Sequence, residues 1–142
     1  MAEKIATREA YGNALAEFGA KYENLVVLDA DLAAATKTST FKKAFPDRFF
    51  DTGIAEGHAV TFASGMACGG LMPVFAVYST FLQRGYDNIL HDIALQGLPV
   101  HLMIDRAGLS VADGATHHGI FDVSFLSHIP SISLYAPATH GS

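Results

Sequence analysis

Ala59-Val60-Thr61-Phe62-Ala63-Ser64-Gly65-Met66-Ala67-Cys68-Gly69-Gly70-Leu71-Met72-Pro73-Val74-Phe75-Ala76-Val77-Tyr78-Ser79-Thr80-Phe81-Leu82-Gln83 carries no charged side chain, and how this run is read decides the fold. Its length alone would suffice for a membrane span. Membrane helices tolerate glycine and proline. Here, however, Gly65, Gly69, Gly70 and Pro73 divide the run into a helix-length piece and a strand-length piece, and Ser79-Thr80 follow as a cap. The run therefore reads as a buried helix followed by a buried strand.

The same alternation extends in both directions. Upstream, Tyr11, Leu15, Phe18 and Tyr22 fall at helical spacing and precede the strand-like Leu25-Val26-Val27-Leu28. A short helix over Ser39 to Ala44 stops before Pro46, Arg48 to Phe50 form a second strand, and a helix starts near Glu56. The strand Pro73 to Val77 leads into a helix from Thr80 that sets Leu82, Tyr86, Ile89 and Ile93 on one face. Downstream come the strand Val100 to Ile104, a Gly- and His-rich loop from Gly108 to Gly119, a short helix near Phe121 to Leu126, and a last strand, Ser131 to Tyr135. The expected fold is α/β: a doubly wound, mostly parallel sheet with helices on both faces. One domain is expected over residues 1–137, with 138–142 a tail whose His140-Gly141-Ser142 reads as a remnant of cloning.

Composition narrows the class. A chain of 142 residues suffices for one domain with a real core. Only 16% of its residues are charged, against roughly 25% in an average soluble domain, so part of the outside is expected to be covered by another domain or subunit. The net charge of -5 argues against nucleic acid or an acidic membrane as the partner. The amino terminus, Met1-Ala2-Glu3-Lys4, lacks an apolar signal core, which points to the cytoplasm. Cys68 is the single cysteine; it excludes an internal disulfide and is expected to be a packed thiol in its apolar helix.

The polar residues that follow the strands share a position. Asp29 and Asp31, Asp51, Tyr78 to Phe81, and Asp105 with Arg106 would all lie at the carboxyl edge of a parallel sheet, where ligands bind. Loop polarity alone explains part of this pattern. It does not explain Glu56, a carboxylate at the head of an apolar segment, or the loop Asp113-Gly114-Ala115-Thr116-His117-His118-Gly119. Burying a carboxyl costs several kcal/mol, roughly, unless it is paired, hydrogen-bonded or protonated. From the residues alone, Glu56 is either a first-turn capping glutamate or a group tuned for proton chemistry.

Five linked motifs stand in order: Ile54-Ala55-Glu56 with His58-Ala59-Val60-Thr61; Tyr78-Ser79-Thr80-Phe81-Leu82-Gln83-Arg84; His91-Asp92; Ile104-Asp105-Arg106-Ala107-Gly108; and Asp113-Gly114 with Thr116-His117. Together they resemble the pyrimidine-binding domain of the transketolase family of thiamine-diphosphate enzymes, most closely its deoxyxylulose-5-phosphate synthase branch. The amino-terminal third, with Thr7-Arg8-Glu9-Ala10-Tyr11 and Val27-Leu28-Asp29-Ala30-Asp31-Leu32, is more similar to the small subunit of split transketolases.

The resemblance implies roles. Glu56 would be the catalytic glutamate that hydrogen-bonds the cofactor's aminopyrimidine and promotes its imino form, a task suited to an apolar pocket. Phe81 would be the aromatic on which the pyrimidine stacks, and Tyr78 and Arg84 would lie in the cofactor site, Arg84 near the pyrimidine or a substrate phosphate. Asp113 and His117 would contact substrate hydroxyls and carbonyl oxygens, with His117 also in a catalytic role, and Arg106 would serve a phosphate or a structural partner. Core packing for Phe81, a solvated polar face shared with Asp87, Asn88 and His91 for Arg84, and plain exposure for His117 remain the alternatives. The adjacent His117 and His118 form no zinc signature, and no metal ligand is expected in this chain.

Three residues depart from the family pattern: Gly57 replaces the usual glutamine, Val111 a usual glycine, and His118 a usual glutamine. The family's Gly-Asp-Gly segment with its downstream asparagine does not occur. The cofactors implied are thus thiamine diphosphate and a Mg²⁺ held by a partner domain or subunit, in a homo- or hetero-oligomer, with a dimer expected. The domain reads as incomplete at its carboxyl end. The implied reaction joins pyruvate, after decarboxylation, to glyceraldehyde 3-phosphate, a step toward isoprenoid precursors. A split transketolase moving a two-carbon ketol unit between sugar phosphates is the alternative, and a non-catalytic folding domain is a third.

Overall fold

The computed structural model describes residues 4–138 and is built on four parallel strands. β1 (Leu25–Asp29) lies inside, flanked by β2 (Phe49–Asp51) and β3 (Met72–Tyr78), and β4 (His101–Asp105) pairs the far side of β3. All five β1 residues are buried, as befits a strand covered on both faces, which explains its unbroken apolar run. The register sets Asp29 beside Asp51 and Ala76, and Tyr78 beside Asp105, so the polar residues that end the strands do share one edge.

The two faces carry separate cores. On one, α1 (Thr7–Lys21) and α3 (Ser39–Ala44) bring Leu15 and Phe41 against Leu25, Val27 and Val74. Gly19 permits this approach: a Cβ there would lie 2.5 Å from the Phe41 ring. Arg48 closes the same corner, donating to Tyr22 O at 2.9 Å and Gly19 O at 2.8 Å and so capping carbonyls at the end of α1. On the other face, α4 (Glu56–Cys68), the helical stretch from Ser79 to Ala94 and α7 (Asp122–Leu126) enclose Leu28, Val60, Phe75, Val77, Leu82 and Ile89. A short α2 (Ala33–Thr36) lies between β1 and α3.

The helix expected from Thr80 is present but unevenly wound. It runs as α5 (Ser79–Leu82), a 3₁₀ turn at Gln83–Gly85, α6 (Tyr86–Asn88) and π-type turns over Ile89–Ala94. Leu82, Ile89 and Ile93 are buried as the spacing indicates. The tight turn falls where Gly85 lies against α4; a Cβ there would stand 3.1 Å from Val60 Cγ2.

Two expectations fail. Ser131 to Tyr135 makes no ladder with β4: Ser131 sits in a turn at φ 68, and a groove of about 1030 Å³ separates the segment from the strand. Ile132 packs against the core, whereas Leu134 and Tyr135 are exposed with no layer above them among the described residues, so pairing there would bury little. Cys68 is exposed, not packed: it ends α4 on the outward stripe shared with Thr61, Phe62 and Gly65. Most of the tail expected at 138–142 lies outside the described residues. Among the described residues no helix is long and apolar enough to cross a membrane.

Candidate active site

Glu56 occupies the first turn of α4, where the amide groups of a helix start favour a negative charge. Its side chain is only 4% exposed, and Arg84 Nη1 donates to Glu56 Oε1 at 2.8 Å. The partner is reached because α4 and the Gln83–Gly85 turn come very close: a Cβ on Gly57 would lie 2.9 Å from Asn88 Oδ1 and 3.5 Å from the Arg84 carbonyl. Gly57, which departs from the family pattern, thus stands at the tightest point of this approach. Asn88 Nδ2 in turn donates to Thr61 Oγ1 at 2.9 Å, tying the two helical segments together.

Around this pair the aromatic and cationic side chains form a layered stack. Tyr78 and Phe81 lie nearly parallel, 5.6 Å between centroids and 13° between planes. Arg84 lies over Phe81 at 5.4 Å, Arg106 over Tyr78 at 4.6 Å, and His117 meets Phe81 edge-on at 5.5 Å. Arg106 also pairs with Asp113. Every candidate residue is therefore joined in one chain of contacts, from Glu56 through Arg84, Phe81, Tyr78 and Arg106 to Asp113, with His117 on its side. Arg84 is exposed yet paired with Glu56, and Phe81 is half-buried beside the pair at the margin of the core.

The loop after β4 is pinned at its base. Gly108 and Gly119 exchange both backbone hydrogen bonds, at 2.7 and 2.8 Å. Position 119 admits no side chain, because a Cβ would stand 2.4 Å from Arg106 O and 2.6 Å from Ser79 Cβ. Within the loop, Ser110 donates through its hydroxyl to Asp113 and through its amide to His118 Nδ1 at 3.0 Å. His118, another departure, acts as an internal brace. Val111, the third, is 96% exposed and braces nothing. Thr80 Oγ1 donates to Thr116 O at 3.3 Å and links the loop to α5.

One cluster was not singled out from sequence. Asp29, fully buried at the end of β1, accepts from Leu32 N at 2.5 Å, Thr36 Oγ1 at 2.8 Å and Thr38 Oγ1 at 2.9 Å. Burial pushes its carboxyl above the ordinary range although these bonds pull the other way. It folds back the loop carrying Asp31, which sits at φ 62 and donates its amide to Asp51 Oδ1 at 3.1 Å. The signal in the sequence was a pair of threonines seven and nine residues past a strand-ending aspartate. Nearby, Tyr11 holds a buried hydroxyl with no partner among the described residues, its proton retained by burial and by the charges of Asp29 and Asp105.

The pyrimidine-binding domain model of transketolase matches residues 3–141. The chain belongs to the transketolase pyrimidine-binding domain family. Within it, 1-deoxy-D-xylulose-5-phosphate synthase of Syntrophotalea carbinolica is 55% identical over 127 residues, covering 89% of this chain and 20% of the synthase. The synthase of Chlorobaculum tepidum is 53% identical over 130 residues, covering 92% of this chain and 20% of the synthase. These alignments reach well into the amino-terminal third. This transketolase-family chain spans about a fifth of the length of the curated relatives it matches. A split-gene transketolase, described as an inactive β4 tetramer, superposes with a TM-score of 0.77 at 41% identity, over 90% of this chain and 41% of that one. Transketolase of Campylobacter jejuni shares the fold, with a TM-score of 0.80 at 23% identity over 89% of this chain and 20% of that one.

The residues fit the aminopyrimidine part of the family's cofactor. A buried carboxyl beside a partly open aromatic face can hydrogen-bond one edge of a flat heterocycle while covering its plane.

Proposed function

We propose that this chain is the pyrimidine-binding half-site of a thiamine-diphosphate-dependent transferase of the deoxyxylulose-5-phosphate synthase type, acting on pyruvate and glyceraldehyde 3-phosphate. The observation that carries the reading is the continuous contact chain from buried Glu56 to Asp113 through Phe81 and Tyr78. Thiamine diphosphate, when bound, would supply the electron sink for the reaction. Glu56 holds or moves a proton at the pyrimidine edge, and Phe81 with Tyr78 orients the ring and excludes water. Arg106, Asp113 and His117 face the substrate side, where a phosphate and hydroxyls require cationic and hydrogen-bonding partners. We place the diphosphate and its Mg²⁺ on a partner domain or subunit, the domain itself at residues 1–137, and the assembly, at least a dimer, in the cytoplasm.

The 41% identity to a split-gene transketolase favours a second reading, a small subunit that transfers a two-carbon ketol unit. Both readings are tested by mixing the chain with a diphosphate-binding domain from a synthase and from a split transketolase, and assaying pyruvate against a ketose phosphate as donor. Pyruvate-dependent product supports the first reading and ketose-dependent product the second. Glu56→Gln is expected to lower turnover by about 10²–10⁴-fold with the fold intact. A variant as active as the wild type would remove Glu56 from the chemistry and leave the chain a folding domain.

A further inference from the structure

We infer that Arg84 is a placeholder for the aminopyrimidine: its guanidinium holds the two contacts, to Glu56 and to Phe81, that the ring would take, and the ring must displace it to bind. This inference rests on the proposed pyrimidine site.

One side chain makes both contacts, donating to Glu56 Oε1 at 2.8 Å and lying over the Phe81 ring at 5.4 Å. A guanidinium is flat, covers an aromatic face and hydrogen-bonds a carboxyl edge-on, which is also how an aminopyrimidine would use these groups. The local fold delivers it there. Gly57 and Gly85 let the Arg84 backbone lie against the first turn of α4, so the side chain reaches the carboxyl from outside. Arg84 is also free to leave: its side chain is 59% exposed, whereas that of Glu56 is 4% exposed. The arrangement has a physical reason. A buried carboxylate left without a partner is strongly unfavourable, and Arg84 compensates it until a ring nitrogen does so. The exchange turns Glu56 from the acceptor of a fixed cation into the proton-sharing partner of a heterocycle.

The test uses 4-amino-5-hydroxymethyl-2-methylpyrimidine, the ring without thiazolium or diphosphate, titrated calorimetrically into the full chain and into its Arg84→Ala, Arg84→Lys and Phe81→Ala variants. Circular dichroism checks each fold, and NMR follows the Arg84 guanidinium N–H signals. Arg84→Ala is expected to tighten binding roughly three- to tenfold, the value of one exposed cation–π contact with its ion pair. Arg84→Lys, which keeps the charge but not the flat face, is expected to fall between it and the wild type, and Phe81→Ala to weaken binding. In the wild type the guanidinium signals should move from a protected to a solvent-exchanging state as the site saturates. Binding that weakens or stays unchanged in Arg84→Ala, or an Arg84 still protected at saturation, overturns the placeholder while leaving the pyrimidine site standing. No binding by any variant overturns both.

Discussion

Replacing Asp29 by alanine tests whether the loop after β1 is held by a buried carboxylate. Three donors converge on it: Leu32 N–H and the hydroxyls of Thr36 and Thr38. In the variant, Thr36 can still donate to Leu32 O at 3.2 Å, and Thr38 can turn to Thr36 Oγ1 at 3.1 Å. Leu32 N–H has no second acceptor. One orphaned donor costs about 1–3 kcal/mol, and exchanging two charge-assisted bonds for neutral ones adds about 1–2 kcal/mol. Removing a desolvated charge returns part of this, for a net loss of about 1–4 kcal/mol at neutral pH. Asp29→Asn keeps one oxygen for Leu32 and should lie within about 1 kcal/mol of the wild type. The two also differ in pH dependence. Folding raises the Asp29 carboxyl above its ordinary value of 3.8, so the folded chain binds this proton more tightly than the unfolded chain. That contribution is fully present below the unfolded value and is lost as pH rises through the folded value. The stability of the wild type relative to Asp29→Asn should therefore improve as pH falls from neutral toward about 4. Urea unfolding of the three proteins across that range is the assay. An alanine variant within about 0.5 kcal/mol of the wild type, or a flat difference against asparagine, would refute the reasoning.

Tyr11→Phe removes a buried hydroxyl that has no partner among the described residues and feels the charges of Asp29 and Asp105, so it should be neutral or stabilise by up to about 1 kcal/mol in thermal unfolding. Gly119→Ala forces a methyl against Arg106 O and Ser79 and should cost about 1–3 kcal/mol, with faster hydrogen exchange at the Gly108 amide as the loop base opens.

Much of the fold was legible because its pattern is local. The glycines and proline that break the uncharged run mark the end of α4 and the start of β3, and the apolar β1 run marks a strand buried on both faces. Ser131 to Tyr135 misled because alternation signals a strand only where a neighbouring layer buries one face. The winding of the Ser79–Ala94 segment was not readable either, since it follows from Gly85 packing on Val60. In the site, the residue types and their place at the sheet edge were visible in the sequence. Their order of contact was not: nothing in the spacing indicates that Arg84 reaches back 28 residues to Glu56, or that Arg106 bridges Tyr78 and Asp113. Asp29 was legible as a residue of the sheet edge, but its three-donor cluster was not, because the donors lie within nine residues and look like an ordinary polar loop.

The outer edge of β4 has a practical consequence. It is the terminal strand of the sheet, and Ser131 to Tyr135 stands off across the groove, so a row of backbone donors and acceptors faces solvent between apolar side chains such as Met103. Such an edge is a template for other extended chains. Handled alone at high concentration, the polypeptide should form soluble aggregates before it loses helix. Light scattering against dilution is thus the control to run before any titration on it is interpreted.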